Sequence, residues 1–191
     1  AWEAKAFLAA AREGRQELLV KLSLVPTDRG VPLPRRIDRM SIVLEGIAFD
    51  PPPDIGQRCL RHAENWECEI GHNAQGNFDG DHADWLRSSF TVPATDPAIS
   101  RLSGDLTSTA PTAEAKVQAI LQWLDANIRK ESADGFTALD VLATRRAECQ
   151  GHAYLYPALA RASGVPTRVV NGLVYSEGQQ GFLYHTWTES L

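Results

Sequence analysis

The chain has 191 residues, which is long enough for one sizeable hydrophobic core or two smaller ones. Hydrophobic residues make up 43% of it and charged residues 23%, a balance typical of a globular protein rather than a disordered one. The net charge of −5 argues against a nucleic-acid-binding protein, and no apolar run reaches the roughly 20 residues that a membrane-spanning helix needs.

The N-terminus bears on where the protein works. The first residue is Ala1 rather than Met, and no signal-peptide pattern follows it. We therefore expect a processed or trimmed chain, and an export signal fits the missing segment. A periplasmic or secreted location is accordingly favoured over a cytoplasmic one.

Residues 1–93 predict a β-rich accessory domain. A short helix fits 2–13, and apolar residues then alternate with others over 18–24 and 40–44, the period of two that is typical of strands. Three consecutive prolines at 51–53 predict a loop or the edge of a sheet.

Two cysteines in this part are each followed by a histidine, at spacings that occur in zinc sites: Cys59 with His62, and Cys68 with His72. The loop between the two pairs is short, and the pattern matches no zinc module. A Cys59–Cys68 disulfide and two unrelated thiols are the alternatives, and spacing alone leaves all three open. We expect neither a metal nor a cofactor.

Residues 94–191 predict helices followed by a β-hairpin. Asp96 and Pro97 are typical of a helix start. Apolar residues between 117 and 128 follow the three–four spacing of a buried helical stripe, which predicts a second helix. Thr137 predicts the cap of a third. Together with the strands of the first part, these helices predict an α+β fold.

A fourth predicted helix begins at Cys149 and ends at Gly164, where a proline two residues further on is a normal stop signal. The stretch 167–175 is rich in Val and Tyr, and 182–191 returns as a second strand after a polar turn. This order brings a cysteine at a helix start and a histidine on a strand into one segment.

That combination is typical of a thiol nucleophile and its base, here Cys149 and His185. A thiol reacts as the thiolate, which a helix N-terminus and a neighbouring imidazolium both stabilise. The unpaired N–H groups of the first helical turn can also stabilise an oxyanion. Alternation places His185 on one strand face with Trp187 and Glu189. His152 is a rival base, but it would point along the helix, away from the exposed first turn.

Three stretches together resemble the transglutaminase-like superfamily, whose core is papain-like. Residues 137–149 resemble the approach to that family's nucleophile. Residues 150–168 resemble its nucleophile helix, with a Gly-Val-Pro-Thr-Arg exit, and the His-Thr-Trp-Thr-Glu of 185–189 resembles its histidine strand. The resemblance implies an α+β protein with an accessory β domain at 1–93 and a papain-like catalytic domain at 94–191.

The same resemblance implies a bacterial cysteine peptidase, amidase or transglutaminase. Such an enzyme transfers or hydrolyses the acyl group of an amide in a protein or peptide substrate, through a thioester on Cys149 and with His185 as base. The family's third triad member, an Asp, would lie beyond Leu191. We therefore expect an incomplete catalytic unit, with a sheet edge open to pairing with another chain. The alternative is a scaffold or binding module that keeps the fold without the chemistry.

Overall fold

The computed structural model describes residues 22–32, 36–46, 59–71, 82–131 and 136–191. The chain divides into two compact units: Arg29–Asp81 is one, and the residues up to Asp28 join those from His82 onward in the other. The sequence predicts a boundary at residue 93, whereas the contacts divide the chain at His82.

Helices and strands are mixed along the chain, which confirms the predicted α+β fold. In chain order the elements are β1 (Val25–Pro26), β2 (Arg39–Leu44), β3 (Cys59–His62), β4 (Asn65–Gly71), a 3-10 helix (His82–Leu86), α1 (Pro97–Thr107), α2 (Ala113–Asn127), β5 (Arg129–Lys130), α3 (Ala138–Thr144), β6 (Arg146–Ala147), α4 (Cys149–Ala162), β7 (Thr167–Ser176) and β8 (Gly181–Ser190). No helix of the described ranges is long and apolar enough to cross a membrane.

Of the predictions for the N-terminal part, one is confirmed, one is wrong and two lie outside the described residues. The strand expected at 40–44 is confirmed as β2. The strand expected over 18–24 is wrong at its end, because Leu22 and Ser23 are helical. The helix at 2–13 and the proline loop at 51–53 lie outside the described residues.

The smaller unit contains an antiparallel sheet with the strand order β2-β4-β3. Cys59 on β3 and Cys68 on β4 are directly opposite each other, and their side chains are joined by a disulfide. The disulfide decides between the three alternatives, so the prediction of a zinc site and that of two unrelated thiols are both wrong. Both cysteines are buried, which shields the bond from solvent.

In the larger unit α1, α3 and α4 begin where the sequence predicts, and α2 contains the predicted apolar stripe. The Asp96 carboxylate accepts a hydrogen bond from the Ala98 N–H at 2.8 Å, which caps α1. Thr112 caps α2 in the same way, and Ile120 and Leu124 bury the predicted apolar stripe. Each cap satisfies a backbone donor that the helix itself leaves unpaired.

Helix α3 has a reciprocal capping box. The Thr137 hydroxyl accepts a hydrogen bond from the Asp140 N–H, and the Asp140 carboxylate accepts from the N–H groups of Thr137 and Phe136. Hydrogen bonds from the Thr137 side chain and from the Phe136 backbone hold the pKa of Asp140 below its ordinary value. The helix ends at Arg145, whose positive φ of 57° turns the chain towards β6.

Helix α4 is the centre of the larger unit, since it packs against α1, α2, α3 and both long strands. Its buried side chains meet those of the other helices in one core, made chiefly of Val92, Ile99, Ile120, Leu124, Val141, Leu155, Leu159 and Val165. The C-terminal end of α4 is tied by polar contacts as well. Arg161 donates to the carbonyl oxygens of Thr167 and Arg87, and Lys116 donates to that of Ser163.

The predicted hairpin is confirmed as β7 and β8, which pair antiparallel from Thr167 opposite Ser190 to Ser176 opposite Gly181. On its other side β8 pairs with β1 only at Gly181 and Phe182. Beyond that point no strand of the described residues covers this edge of β8. Pairing of the edge with another chain stays a prediction.

Candidate active site

Cys149 is the first residue of α4. The preceding residue, Glu148, is extended and forms the N-cap, but its side chain makes no capping hydrogen bond. The first intrahelical bond in this turn runs from the His152 N–H to the Glu148 carbonyl. The N–H groups of the first turn therefore have no partner within the helix, and they point outward beside a half-buried thiol. Donors of this kind favour an anion at the helix start.

Gly151 fixes how closely this first turn packs on its neighbours. A Cβ atom at residue 151 would lie 2.8 Å from the Ala147 Cβ and 3.0 Å from the Val141 Cγ2. The first distance is shorter than Cβ contacts in proteins, and the second is tight. Only a glycine at this position lets the start of α4 rest directly on α3 and β6, and this close packing sets the position of Cys149.

His152 lies where the sequence predicts, along the helix. Its Nδ1 is 2.9 Å from the Glu148 carbonyl oxygen, four residues back. A carbonyl oxygen only accepts, so Nδ1 carries the proton in this contact. No hydrogen bond joins the ring to the Cys149 thiol among the described residues. The contact with Glu148 agrees with the prediction that His152 points along the helix.

A hydrogen bond joins the middle of α4 to β8, the strand that carries His185. The buried Tyr156 hydroxyl is 2.7 Å from the Ser190 Oγ, which in turn is 2.9 Å from the Thr167 Oγ1. Burial raises the pKa of Tyr156, so its hydroxyl stays neutral near neutral pH. Cys149 is two helical turns before Tyr156 on the same side of α4, about 10 Å along the axis.

His185 lies in the middle of β8, opposite Gly172 on β7. It is five residues before Ser190, which is about 17 Å along the strand. β8 pairs antiparallel with β7, which begins five residues after the end of α4, so the strand that carries His185 belongs to the same compact unit as Cys149.

The face of β8 that carries His185 also carries Trp187 and Glu189, as predicted. The Trp187 Nε1–H donates to Glu189 Oε1 at 3.3 Å, and Arg168 on β7 donates to Glu189 Oε2 at 2.8 Å. Arg168 also lies over the Trp85 ring, with 4.8 Å from Cζ to the ring centroid. Arg168 thus forms an ion pair with Glu189 and a cation–π contact with Trp85.

Residues 100–191 match the model of the transglutaminase-like superfamily. This match shows that the C-terminal part of the chain is similar to that superfamily. No curated protein matches the sequence. The match confirms the resemblance to this family, and it supports a thiol-dependent function in general terms for residues 100–191, here called the transglutaminase-like domain.

Two solved structures share the fold. A candidate cysteine protease from Cytophaga hutchinsonii is 18% identical with a TM-score of 0.53, over 87% of this chain and 64% of that one. The periplasmic domain of TgpA from Pseudomonas aeruginosa is 17% identical with a TM-score of 0.54, over 89% of this chain and 68% of that domain. The chain thus spans about two-thirds of each neighbour, and at these identities the likeness is one of fold.

The transglutaminase-like domain brings the elements of both predicted site residues together, since α4 packs against β8. Within the described ranges, however, no hydrogen bond joins the Cys149 thiol to the His185 ring. Glu189 is occupied by Arg168 and Trp187, and it lies four residues from His185, about 13 Å along the strand. Glu189 is therefore not placed to serve as the third triad member.

Two glycines of the transglutaminase-like domain are site residues that the sequence interpretation missed. Gly151 follows Cys149 by two residues, and Gly172 lies directly across the hairpin from His185. Gly151 carries a usable signal, because a glycine inside the first turn of a predicted helix costs stability unless close packing requires it. Gly172 could be identified only from the register of the hairpin.

Proposed function

We propose that the transglutaminase-like domain is an enzyme that cleaves or transfers amide acyl groups of protein or peptide substrates, with Cys149 as nucleophile and His185 as its base. The observation that carries the proposal is the position of Cys149. The only free thiol among the described residues is the first residue of a helix with an uncapped first turn, in a domain similar to this superfamily.

The chemistry follows from these groups. The Cys149 thiol gives its proton to His185, and its sulfur attacks the amide carbonyl carbon. The N–H groups of the first turn of α4 stabilise the oxyanion that forms. The C–N bond then breaks, and the protonated His185 gives its proton to the leaving ammonia or amine. A thioester remains on Cys149. His185 next takes a proton from water, which attacks the thioester and releases a carboxylic acid and the free thiol.

Hydrolysis is the outcome that we favour, because water needs no binding site of its own. An amine in place of water would give cross-linking by the same two steps. The choice between peptidase, deamidase and cross-linking enzyme depends on which acyl donor binds beside Cys149. The third triad member, which the family supplies as an Asp, would orient the His185 ring and stabilise its protonated form.

A periplasmic or secreted location fits this proposal. The disulfide between Cys59 and Cys68 is typical of an oxidising compartment, because cytosolic thiols are kept reduced. The structural likeness to a periplasmic domain agrees with that location. Substrates would then be proteins or peptides of the cell envelope or the surroundings.

The test is the reactivity of the Cys149 thiol in the native chain. Iodoacetamide should alkylate Cys149 at near-neutral pH, where an unassisted thiol, with a pKa of about 8.5, reacts slowly. Replacement of Cys149 by Ser should abolish both labelling and hydrolysis of glutamine or peptide amides. A native thiol that reacts no faster than the same thiol in unfolded protein would favour the scaffold alternative.

A further inference from the structure

The hairpin has an unusual contact directly opposite His185. Its cross-strand partner is Gly172, and a Cβ atom at residue 172 would lie only 2.6 Å from Cη2 and 3.0 Å from Cζ3 of Trp187. The indole therefore fills the space that a side chain at 172 would take. Cross-strand Cβ atoms are about 5 Å apart, so the far edge of the indole lies within about 8 Å of the His185 Cβ.

The indole is also held from its other edge. Its N–H donates to Glu189 at 3.3 Å, and the same carboxylate accepts from Nε and Nη2 of Arg168, each at 2.8 Å. The Arg168 and Glu189 side chains are only 28% and 35% exposed, so the pair is partly shielded from solvent. Arg168 is held in its turn against the Trp85 ring. A chain of contacts thus runs from the 3-10 helix to the ring beside His185.

We infer that Gly172 and Glu189 are positioning residues for His185 that act through the Trp187 indole. This inference rests on the proposed function, in which His185 is the base. Gly172 leaves room for the indole beside the imidazole, and Glu189 holds the indole in that room. The indole then forms a wall that restricts the orientations of the His185 ring.

A restricted ring matters because His185 has to handle protons in both half-reactions. It first delivers a proton to the leaving nitrogen and then takes one from the attacking water, and both transfers need one ring orientation. An imidazole on an otherwise open strand would spread over several rotamers. Loss of the wall should therefore weaken the assistance that His185 gives to the Cys149 thiol, without unfolding the domain.

The experiment measures the rate of Cys149 alkylation by iodoacetamide in the full chain at two pH values. One is about pH 6, where an unassisted thiol is largely protonated, and the other is about pH 10, where any thiol is ionised. The variants are Gly172→Ala, the matched control Gly178→Ala in the turn of the same hairpin, and His185→Ala. A Cβ at residue 178 meets nothing within 4 Å.

We expect Gly172→Ala to slow alkylation about fivefold at the lower pH, the effect of a side chain pushed off its preferred rotamer. Its rate at the higher pH should stay within about twofold of that of the original chain, and Gly178→Ala should match the original at both values. The inference would be overturned, and the proposed function kept, by two results together. Gly172→Ala would fold and keep the original rates at both pH values, and His185→Ala would lose its reactivity at the lower pH. An unchanged His185→Ala profile would instead overturn the proposed function, and the inference with it.

A second pair of variants decides the matter if Gly172→Ala does not fold. Glu189→Gln keeps one oxygen, which can accept from the indole N–H, but its amide nitrogen replaces the oxygen that accepts from Arg168. Glu189→Leu keeps neither contact. We expect the Gln variant to retain most of the low-pH rate and the Leu variant to lose about fivefold. Equal rates for the two variants would contradict a positioning role for Glu189.

Discussion

At the scale of single residues, the two histidines of the proposed site have different surroundings. His152 donates to the Glu148 carbonyl within α4, whereas His185 lies on the strand that packs against that helix. We expect His152→Ala to lower stability by about 1 kcal/mol, the worth of one hydrogen bond, and to leave the alkylation rate of Cys149 unchanged. His185→Ala should slow the alkylation of Cys149 and leave the stability of the domain unchanged. Thermal unfolding and alkylation kinetics of both variants test this, and a His152→Ala variant that is stable but unreactive would make His152 the base.

Gly151 supports a second prediction at this scale. A methyl group at residue 151 has no room between Ala147 and Val141, so Gly151→Ala should destabilise the domain by about 1 to 3 kcal/mol. Gly104 is the matched control. It also lies inside a helix, α1, but a Cβ there meets nothing within 4 Å, so Gly104→Ala should stabilise by about 0.5 to 1 kcal/mol. Denaturant unfolding that shifts both variants in the same direction would refute the packing argument.

The sequence identifies the residues of the candidate site, but it does not predict which other residues they contact. Cys149, His185, Trp187 and Glu189 could all be found from motif and alternation, because a helix start and a strand face are local properties. The space at Gly172 could not, since it depends on which residue of β7 faces His185. That register is set by the length of the hairpin turn and by long-range packing.

At the scale of elements, the capping box of α3 predicts a dependence on pH. Its hydrogen bonds lower the pKa of Asp140 in the folded chain. The stabilisation is therefore fully present above the pKa of an unfolded Asp, about 3.9, and it is lost as the pH falls through the lower folded value. Asp140→Asn should cost about 1 kcal/mol near neutral pH and progressively less in acid. Unfolding curves from neutral to acid pH measure this, and a penalty that grows in acid would contradict it.

The elements themselves were predictable where their signals are local. Among the helices α1 to α4 of the described residues, α1, α3 and α4 begin at or next to a predicted residue, and α2 contains the predicted apolar stripe, because caps and apolar stripes act within a few residues. The pairing of β1 with β8 and of β5 with β6 had no such signal. Each joins segments that are distant in sequence through only two residues a side, too few for a pattern of alternation.

At the scale of the whole molecule, the disulfide and the Cys149 thiol belong to different compact units. Cys59 and Cys68 are nine residues apart in the smaller unit, and Cys149 is in the larger one. Closing a loop of that length stabilises a fold by about 3 kcal/mol in the chain-entropy account. Reduction should therefore loosen β2, β3 and β4 while it leaves α4, β7 and β8 intact.

Hydrogen exchange measured by mass spectrometry with and without reductant tests this prediction. Amides of β3 and β4 should exchange faster after reduction, because antiparallel strands held by few other buried contacts open more often. Amides of α4 and β8 should keep their protection, since their core of Leu155, Leu159 and Val165 lies in the larger unit. The double variant Cys59→Ser, Cys68→Ser is the control, and reductant should change nothing in it. Faster exchange in α4 on reduction would mean that the two units unfold together, and the thiol chemistry would then depend on the oxidising surroundings that keep the disulfide closed.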